Sequence, residues 1–284
     1  MIRSLPNSRR YTLSYTLFMI LYFTFLFAPL VVTCVLAFNN SDFPSLPWNG
    51  FSLDWFLASG PQRVGIFHDA QNLRSIAVSF QTAFWVSLFS VAVGTCSAFL
   101  FEQETFRFKG VLYFLMLAPL VIPGVILGIS ILLAANSAGT YLDNTFGLDF
   151  SLLRPSFWLV VAGQFSFITT FVTLVVSARL RKFDRSLEEA ALNLGANRFE
   201  VIWHITLKYL RPALIGAGAV AFLMSFENFN TTLFLVGSEP TLPINLYLQV
   251  RDGSTPVINA ISLLLIVGTF SLALLNLYFN KGEN

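Results

Sequence analysis

Charge is scarce in this chain. Lys, Arg, Asp and Glu make up 11% of its 284 residues, where a soluble domain carries about 25%. Cysteine and histidine are scarcer, at two each. Cys34 and Cys96 have no Cys or His neighbour at ligand spacing, which excludes a zinc cluster and leaves each expected as a small buried hydrophobe. His68 and His204 complete no nucleophile–base pair with a serine and a carboxylate, so both are expected on the surface and a hydrolase is disfavoured. A formal net charge of +2 provides no basic field for nucleic acid. No G-x-x-x-x-G-K-[ST] loop occurs, so the chain is not expected to hydrolyse ATP by itself. Gly216-Ala-Gly218 lacks the third glycine and the strand-to-helix setting of a dinucleotide site. Close helix packing is its better reading, as it is for Gly124 and Gly128.

What the chain has instead is hydrocarbon. Hydrophobic residues reach 55%, with 31 phenylalanines, a composition that points to an integral membrane protein. About 20 apolar residues span a bilayer as a helix, and six runs qualify, near 13–38, 76–101, 111–135, 157–178, 212–236 and 257–279. The first is too long for a cleaved signal peptide and is read as a retained span. Lysine and arginine sort unevenly between the loops. The N-terminal tail, the loop with Arg107 and Lys109, the loop 179–211 and Lys281 together carry thirteen, and the opposite side carries only Arg63, Arg74, Arg154 and Arg251. The positive-inside rule then places both termini and the loop 179–211 in the cytoplasm. The expected organisation is a cytoplasmic tail at 1–12 and one transmembrane domain at 13–284, with no soluble second domain. The long first outer loop, 39–75, is read either as a lid on the bundle or as a contact for an extracytoplasmic partner.

The charged cytoplasmic loop is itself patterned. Residues 186–212 read SLEEAALNLGANRFEVIWHITLKYLRP. Ser186 followed by Glu189 predicts a capping box and a helix start. Glu188 and Glu189 suit the positive end of the dipole. Leu187, Ala190, Ala191 and Leu194 form an apolar face, and Gly195 predicts a stop. Asn197 and Glu200 predict a second capping box, opening a helix with Ile202, Ile205 and Tyr209 on one side, which Pro212 is expected to end. A helix this short is not stable alone in water. Two placements follow: a plug docked in a groove on a cytoplasmic partner, or an interfacial helix lying on the bilayer.

Glu189, Ala190, Ala191, Gly195, Ile205 and Leu207 stand at the spacing of the EAA signature, and the chain here resembles the permease subunits of bacterial ABC importers. Lys208 stands where that family usually has proline. LFAPLVVTCVLAFNNS at 26–41, LAPLVIPGVILG at 117–128, ARLRKFDRSLEEAALNLGA at 178–196 and LPINLYLQVRDGSTPVINA at 242–260 are similar to the polyamine importer permeases, most of all to the second permease, which works beside a different sister subunit. The resemblance implies an all-α type I importer fold of six transmembrane helices in the bacterial inner membrane. It implies a dimer of ATP-binding cassette ATPases, which would hold ATP and magnesium, a sister permease in a heterodimer, and an extracytoplasmic solute-binding protein. This chain itself would hold no cofactor. Glu188, Glu189, Ala190, Ala191, Leu194 and Gly195 would form the coupling helix.

For the cargo path the sequence offers one segment. Glu227 is the only acidic or basic residue within the six runs, and at mid-membrane such a charge must face a partner or a water-filled cavity. On a continuous helix Glu227, Asn230 and Thr231 share a face, with Asn228 beside it. These residues are read either as hydrogen-bond acceptors for an amine-bearing cargo or as structural contacts to a neighbouring helix or sister subunit. The polyamine permeases commonly have two acids where this chain has Glu227 and Asn228. Gln164 is a second candidate for the path. Trp85 is read as an aromatic wall for an ammonium or as packing. Two other classes compete. A proton-coupled secondary transporter predicts inverted repeats, and the halves of the chain show no convincing match. A membrane enzyme needs a second intramembrane acid, a metal cluster or a nucleophile–base pair, and the runs contain none.

Overall fold

The structure, a computed structural model, describes residues 9–280 apart from 45, 62, 148–149 and 254–255. Residues 1–8 of the expected tail, and Lys281, lie outside the described residues. In chain order the helices are α1 (Arg9–Leu36), α2 (Asp54–Leu57), α3 (Ala70–Gln103), α4 (Lys109–Val121), α5 (Gly124–Phe146), α6 (Phe157–Leu180), α7 (Ser186–Asn193), α8 (Arg198–Val201), α9 (Leu207–Phe226), α10 (Leu242–Gly253) and α11 (Val257–Asn280). The described residues contain no strand, only the isolated bridges Asn39↔Phe51 and Ser59↔Val64. The chain divides into two compact units, one of residues 1–73 and 248–284 and one of residues 74–247.

In the first unit α1 is apolar all round and almost wholly exposed, as a helix solvated by lipid must be. Pro29 lies inside it, and the Thr33 hydroxyl donates to the Pro29 carbonyl at 2.9 Å. The loop after α1 is folded on itself. Trp55 Nε1 donates to the Asn39 carbonyl at 2.9 Å, and Asn39 Oδ1 accepts from the Asn49 amide at 2.8 Å. Arg63 pairs with Asp42 at 2.8 Å and Asp54 at 3.3 Å and lies over the Trp55 ring, 5.1 Å from its centroid. Trp55 and Phe56 are buried, and α2 packs on α11. Gly65 is where this loop closes: a Cβ there would sit 2.5 Å from the Phe56 carbonyl carbon.

The second unit is built around α6. More than half of its apolar length is buried, and Val161, Ile168, Val172, Val176 and Leu180 form one core with Val86 and Ala98 of α3 and Leu210, Ala217 and Ala221 of α9. Small residues permit this closeness. A Cβ on Gly94 would meet Val172 at 2.9 Å, and one on Gly218 would meet Val91 at 3.3 Å. Gly216 has nothing within 4 Å of a Cβ, so only one of the expected pair packs. Cys34 is half-buried and Cys96 is exposed. The expectation of buried thiols fails because Cys96 lies on an outward face of α3.

Two of the six expected spans differ in their course. The run 111–135 is two helices, because Pro123 has no N–H to give and drives the residue before it out of helical geometry; Ile122 has ψ 129° and Pro123 ψ 132°. The length that can cross a membrane is α5. The run 212–236 is helical only to Phe226, and its helix starts early, at Arg198, passing through α8, a π-turn over Ile202–Thr206 and Pro212 before it ends. Pro212 therefore does not break it. α1, α3, α6 and α11 coincide with their expected runs to within a turn or two. α10 is a further helix.

Gly65→Ala is expected to open the first loop locally, since the added methyl overlaps backbone and such overpacking costs about 1–3 kcal/mol. Trypsin cleavage at Arg63 in reconstituted protein should accelerate by about tenfold or more relative to the parent.

Candidate functional site

Two places carry the expected chemistry. At the first, α7 begins at Ser186, but Ser186 does not cap it. The Asp184 carboxylate accepts from the Ser186 amide at 3.0 Å, and this bonding to Ser186 holds the Asp184 pKa below its usual value. The expected Ser186–Glu189 box is thus replaced by an aspartate two residues upstream, which needs no help from Glu189. The stop is as expected. Gly195 has φ 93°, its amide donates to the Leu192 carbonyl at 3.0 Å, and the Ala196 amide donates to the Ala191 carbonyl at 3.1 Å. This is a complete Schellman ending. The Asn197–Glu200 capping box is present with both bonds at 2.9 Å.

The side chains of α7 divide between outside and inside. Leu187, Glu189, Ala190 and Leu194 are exposed, Leu194 to 89%. Ala191 is half-buried. Glu188 turns inward and accepts from the buried Thr206 hydroxyl at 2.6 Å. Nearby, Arg181 holds the Glu102 carboxylate with bonds of 2.9 and 2.8 Å. The hydrogen bond and charge of Glu102 raise the Arg181 pKa further.

At the second place, α9 stops one residue before Glu227, and residues 227–231 run as turns into a 3₁₀ segment, Thr232–Phe234. The helical face expected to unite Glu227, Asn230 and Thr231 therefore does not exist. Asn and Thr side chains compete with the backbone ladder, and four of them follow the glutamate. Glu227 caps α9 and is exposed. Asn228, Asn230 and Thr231 do come together, in a cavity of about 230 Å³ whose other walls are Pro119, Leu120, Ile122, Gly124, Leu127 and Phe167. The break between α4 and α5 thus faces the break after α9. Gly124 and Gly128 make that approach possible: a Cβ on Gly128 would lie 2.6 Å from the Thr231 carbonyl oxygen, and one on Gly124 would lie 3.0 Å from Asn230 Cβ.

Gln164 was a candidate for the path but is wholly buried. Its Oε1 accepts from the Ser225 hydroxyl, its Nε2 donates to Thr232 Oγ1 at 2.8 Å, and that hydroxyl donates to Asn228 Oδ1 at 3.0 Å. It sets the position of Asn228 from behind the cavity. Trp85 packs at 5.5 Å on Phe89 and at 5.8 Å on Trp158. Sequence reasoning missed Thr206 and Ser225. Their hydroxyls look like any others in an apolar run, and only the partner across the bundle distinguishes them.

Residues 90–282 match the family of binding-protein-dependent transport system inner membrane components. The chain belongs to this family. Over 250 residues it is 32% identical to the putrescine transport system permease protein PotI of Escherichia coli K12, covering 87% of this chain and 84% of that protein. It is 26% identical over 251 residues to the spermidine/putrescine transport system permease protein PotC of the same organism, covering 88% and 87%. A solved bacterial ABC transporter that imports the acidic polysaccharide alginate shares the fold, with a TM-score of 0.69 at 13% identity over 98% of this chain and 99% of that one. This is an ABC importer permease, a multi-pass membrane subunit.

In the permease the chain of bonds from Ser225 through Gln164 and Thr232 to Asn228 has a definite cost of removal. Gln164→Leu would leave the buried Ser225 hydroxyl without its acceptor, at about 1–3 kcal/mol, and remove one of the two bonds of the Thr232 hydroxyl, which keeps Asn228. A lowered midpoint of thermal unfolding in detergent, with Gln164→Glu losing less than Gln164→Leu, is the expected result.

Proposed function

We propose that this permease moves a small, amine-bearing, polyamine-like solute into the cytoplasm, driven by a dimer of separate ATP-binding cassette subunits. A sister permease would complete a heterodimer, and an extracytoplasmic binding protein would deliver the cargo. The observation that carries the reading is the cavity where two interrupted helices meet, lined by Asn228, Asn230 and Thr231. Irregular backbone at membrane depth is tolerated only where it is buried in protein or lines a cavity, and interrupted helices are where transporters hold their cargo. The amide and hydroxyl oxygens would accept hydrogen bonds from an ammonium, and Glu227, exposed and next to Asn228 in the chain but outside the cavity lining, would supply a countercharge at its edge. PotI and PotC, named for putrescine and spermidine, support the choice of an amine.

The energy enters through α7. Glu189, Ala190, Ala191 and Leu194 would meet the ATPase, and Gly195 sets the angle at which they do so. Glu188 belongs to the same helix but acts from its inner side. Both termini and α7 would then lie in the cytoplasm, as the distribution of lysine and arginine requires.

Uptake of labelled putrescine and spermidine by cells expressing the complete transporter tests the cargo. Wild-type uptake that falls by about tenfold or more in Glu227→Gln, with the complex still assembled, is expected for a carboxylate that reads an ammonium. Uptake that survives the change would return Glu227 to a structural role.

Gly195→Val tests the coupling helix. No neighbour lies within 4 Å of a Cβ there, so only the φ of 93° opposes the change, and a β-branched residue in that conformation is a genuine outlier. The variant should remain in the membrane while loaded binding protein no longer stimulates ATP hydrolysis.

A further inference from the structure

Two bonded contacts tie α7 to the spans, and they differ in kind. The first is an anchor. Arg185, the residue before α7, donates through Nη2 to the Glu102 carbonyl at 2.9 Å. The carboxylate of the same Glu102 is gripped by Arg181 and is only 15% exposed. The N-terminal end of α7 is thereby fastened to the end of α3. The second contact lies on the inner face, where Glu188 accepts from Thr206 at 2.6 Å. Thr206 is wholly buried and closes the π-turn, in which the Leu207 amide reaches back to the Ile202 carbonyl.

A π-turn holds one residue more than an α-turn. Tightening it toward α geometry turns everything downstream, by up to about 100° for a full residue. The helix downstream is α9, and α9 ends at Phe226, two residues before Asn228, the first of the residues after it that line the cavity. Nothing else on the inner face of α7 forms a charge-assisted bond among the described residues. Such a bond is short and strong, and the hydroxyl it satisfies has no solvent to turn to.

We propose that Thr206 is the positioning residue through which α7 sets the phase of α9. The Glu188–Thr206 bond holds the π-turn. Displacement of α7 about its Arg185 anchor pulls on Thr206, turns α9 and moves residues 227–231. This rests on the reading of α7 as the helix that docks the ATPase.

The test uses the complete transporter in proteoliposomes, with Cys34 and Cys96 changed to serine. In one variant Asn230→Cys reports the cavity segment by its rate of reaction with a membrane-impermeant maleimide. In another, Leu194→Cys carries a benzophenone that photo-cross-links to whatever docks on α7. With ATP and vanadate, labelling at Asn230→Cys should change by about tenfold, the scale of one charge-assisted bond. Adding Thr206→Val should abolish that change while the cross-link to the ATPase persists, and Thr206→Ser should restore it. An ATP-dependent change that survives Thr206→Val with the cross-link intact overturns the proposal. No change in the parent overturns it as well. Absence of the cross-link in the parent overturns the docking reading instead, and the proposal with it. Should Thr206→Val fail to assemble, Glu188→Ala, at a half-exposed position, decides by the same labelling rate.

Discussion

A helix that stops inside a bilayer leaves its last carbonyls facing a solvent that cannot donate to them. α9 ends at Phe226, and the chain between α4 and α5 is interrupted at Ile122 and Pro123. Each interruption survives because protein covers it. The Glu227 amide returns to the Leu223 carbonyl and the Asn228 amide to the Ser225 carbonyl. The Thr231 carbonyl is pressed against Gly128. The Leu235 carbonyl accepts from the Ser156 amide at the start of α6. Gln164 ties Ser225 and Thr232 to the middle of α6. The cavity is what remains between two interruptions that must be covered and cannot be filled by each other.

The same need for partners shapes the charged loop that holds α7. α7 has eight residues, too few to persist alone in water. It is held by a cap from Asp184, a Schellman ending at Gly195, an anchor through Arg185 and an inward bond from Glu188. None of these uses the outward face, so Ala190 and Leu194 stay exposed. A face left uncovered by its own chain, on a subunit with no phosphate loop, is consistent with a family that draws its energy from other subunits.

Much of this was legible in the residues. Gly195 and the Asn197–Glu200 pair are local devices whose partners sit three or four positions away, and they formed as read. The runs that became α1, α6 and α11 depend only on length and hydropathy. The failures share a cause. The Ser186–Glu189 box did not form because the helix starts one residue earlier than read, with Arg185 at the N-cap and Asp184 bonding the Ser186 amide. The 111–135 run divided because Pro123 outweighed its apolar surroundings. Glu227 left the helix where the residues after it meet distant parts of the chain, Thr232 bonded to Gln164 of α6 and Thr231 packed on Gly128 of α5, which no local pattern reports.

Composition and spacing by themselves determined residence in the membrane, a set of about six apolar spans, the uneven sorting of lysine and arginine between the loops and the presence of a short helix in the most charged loop. These follow from transfer free energies and from hydrogen bonds within one turn, and both are summed along the chain. The tertiary structure alone decided where the helices break, that Gln164 is buried and ties Ser225 to Thr232, and that Glu188 faces Thr206. Those outcomes depend on which donor meets which acceptor across the bundle. In a medium that supplies no substitutes, that pairing settles where the backbone can afford to leave its helix.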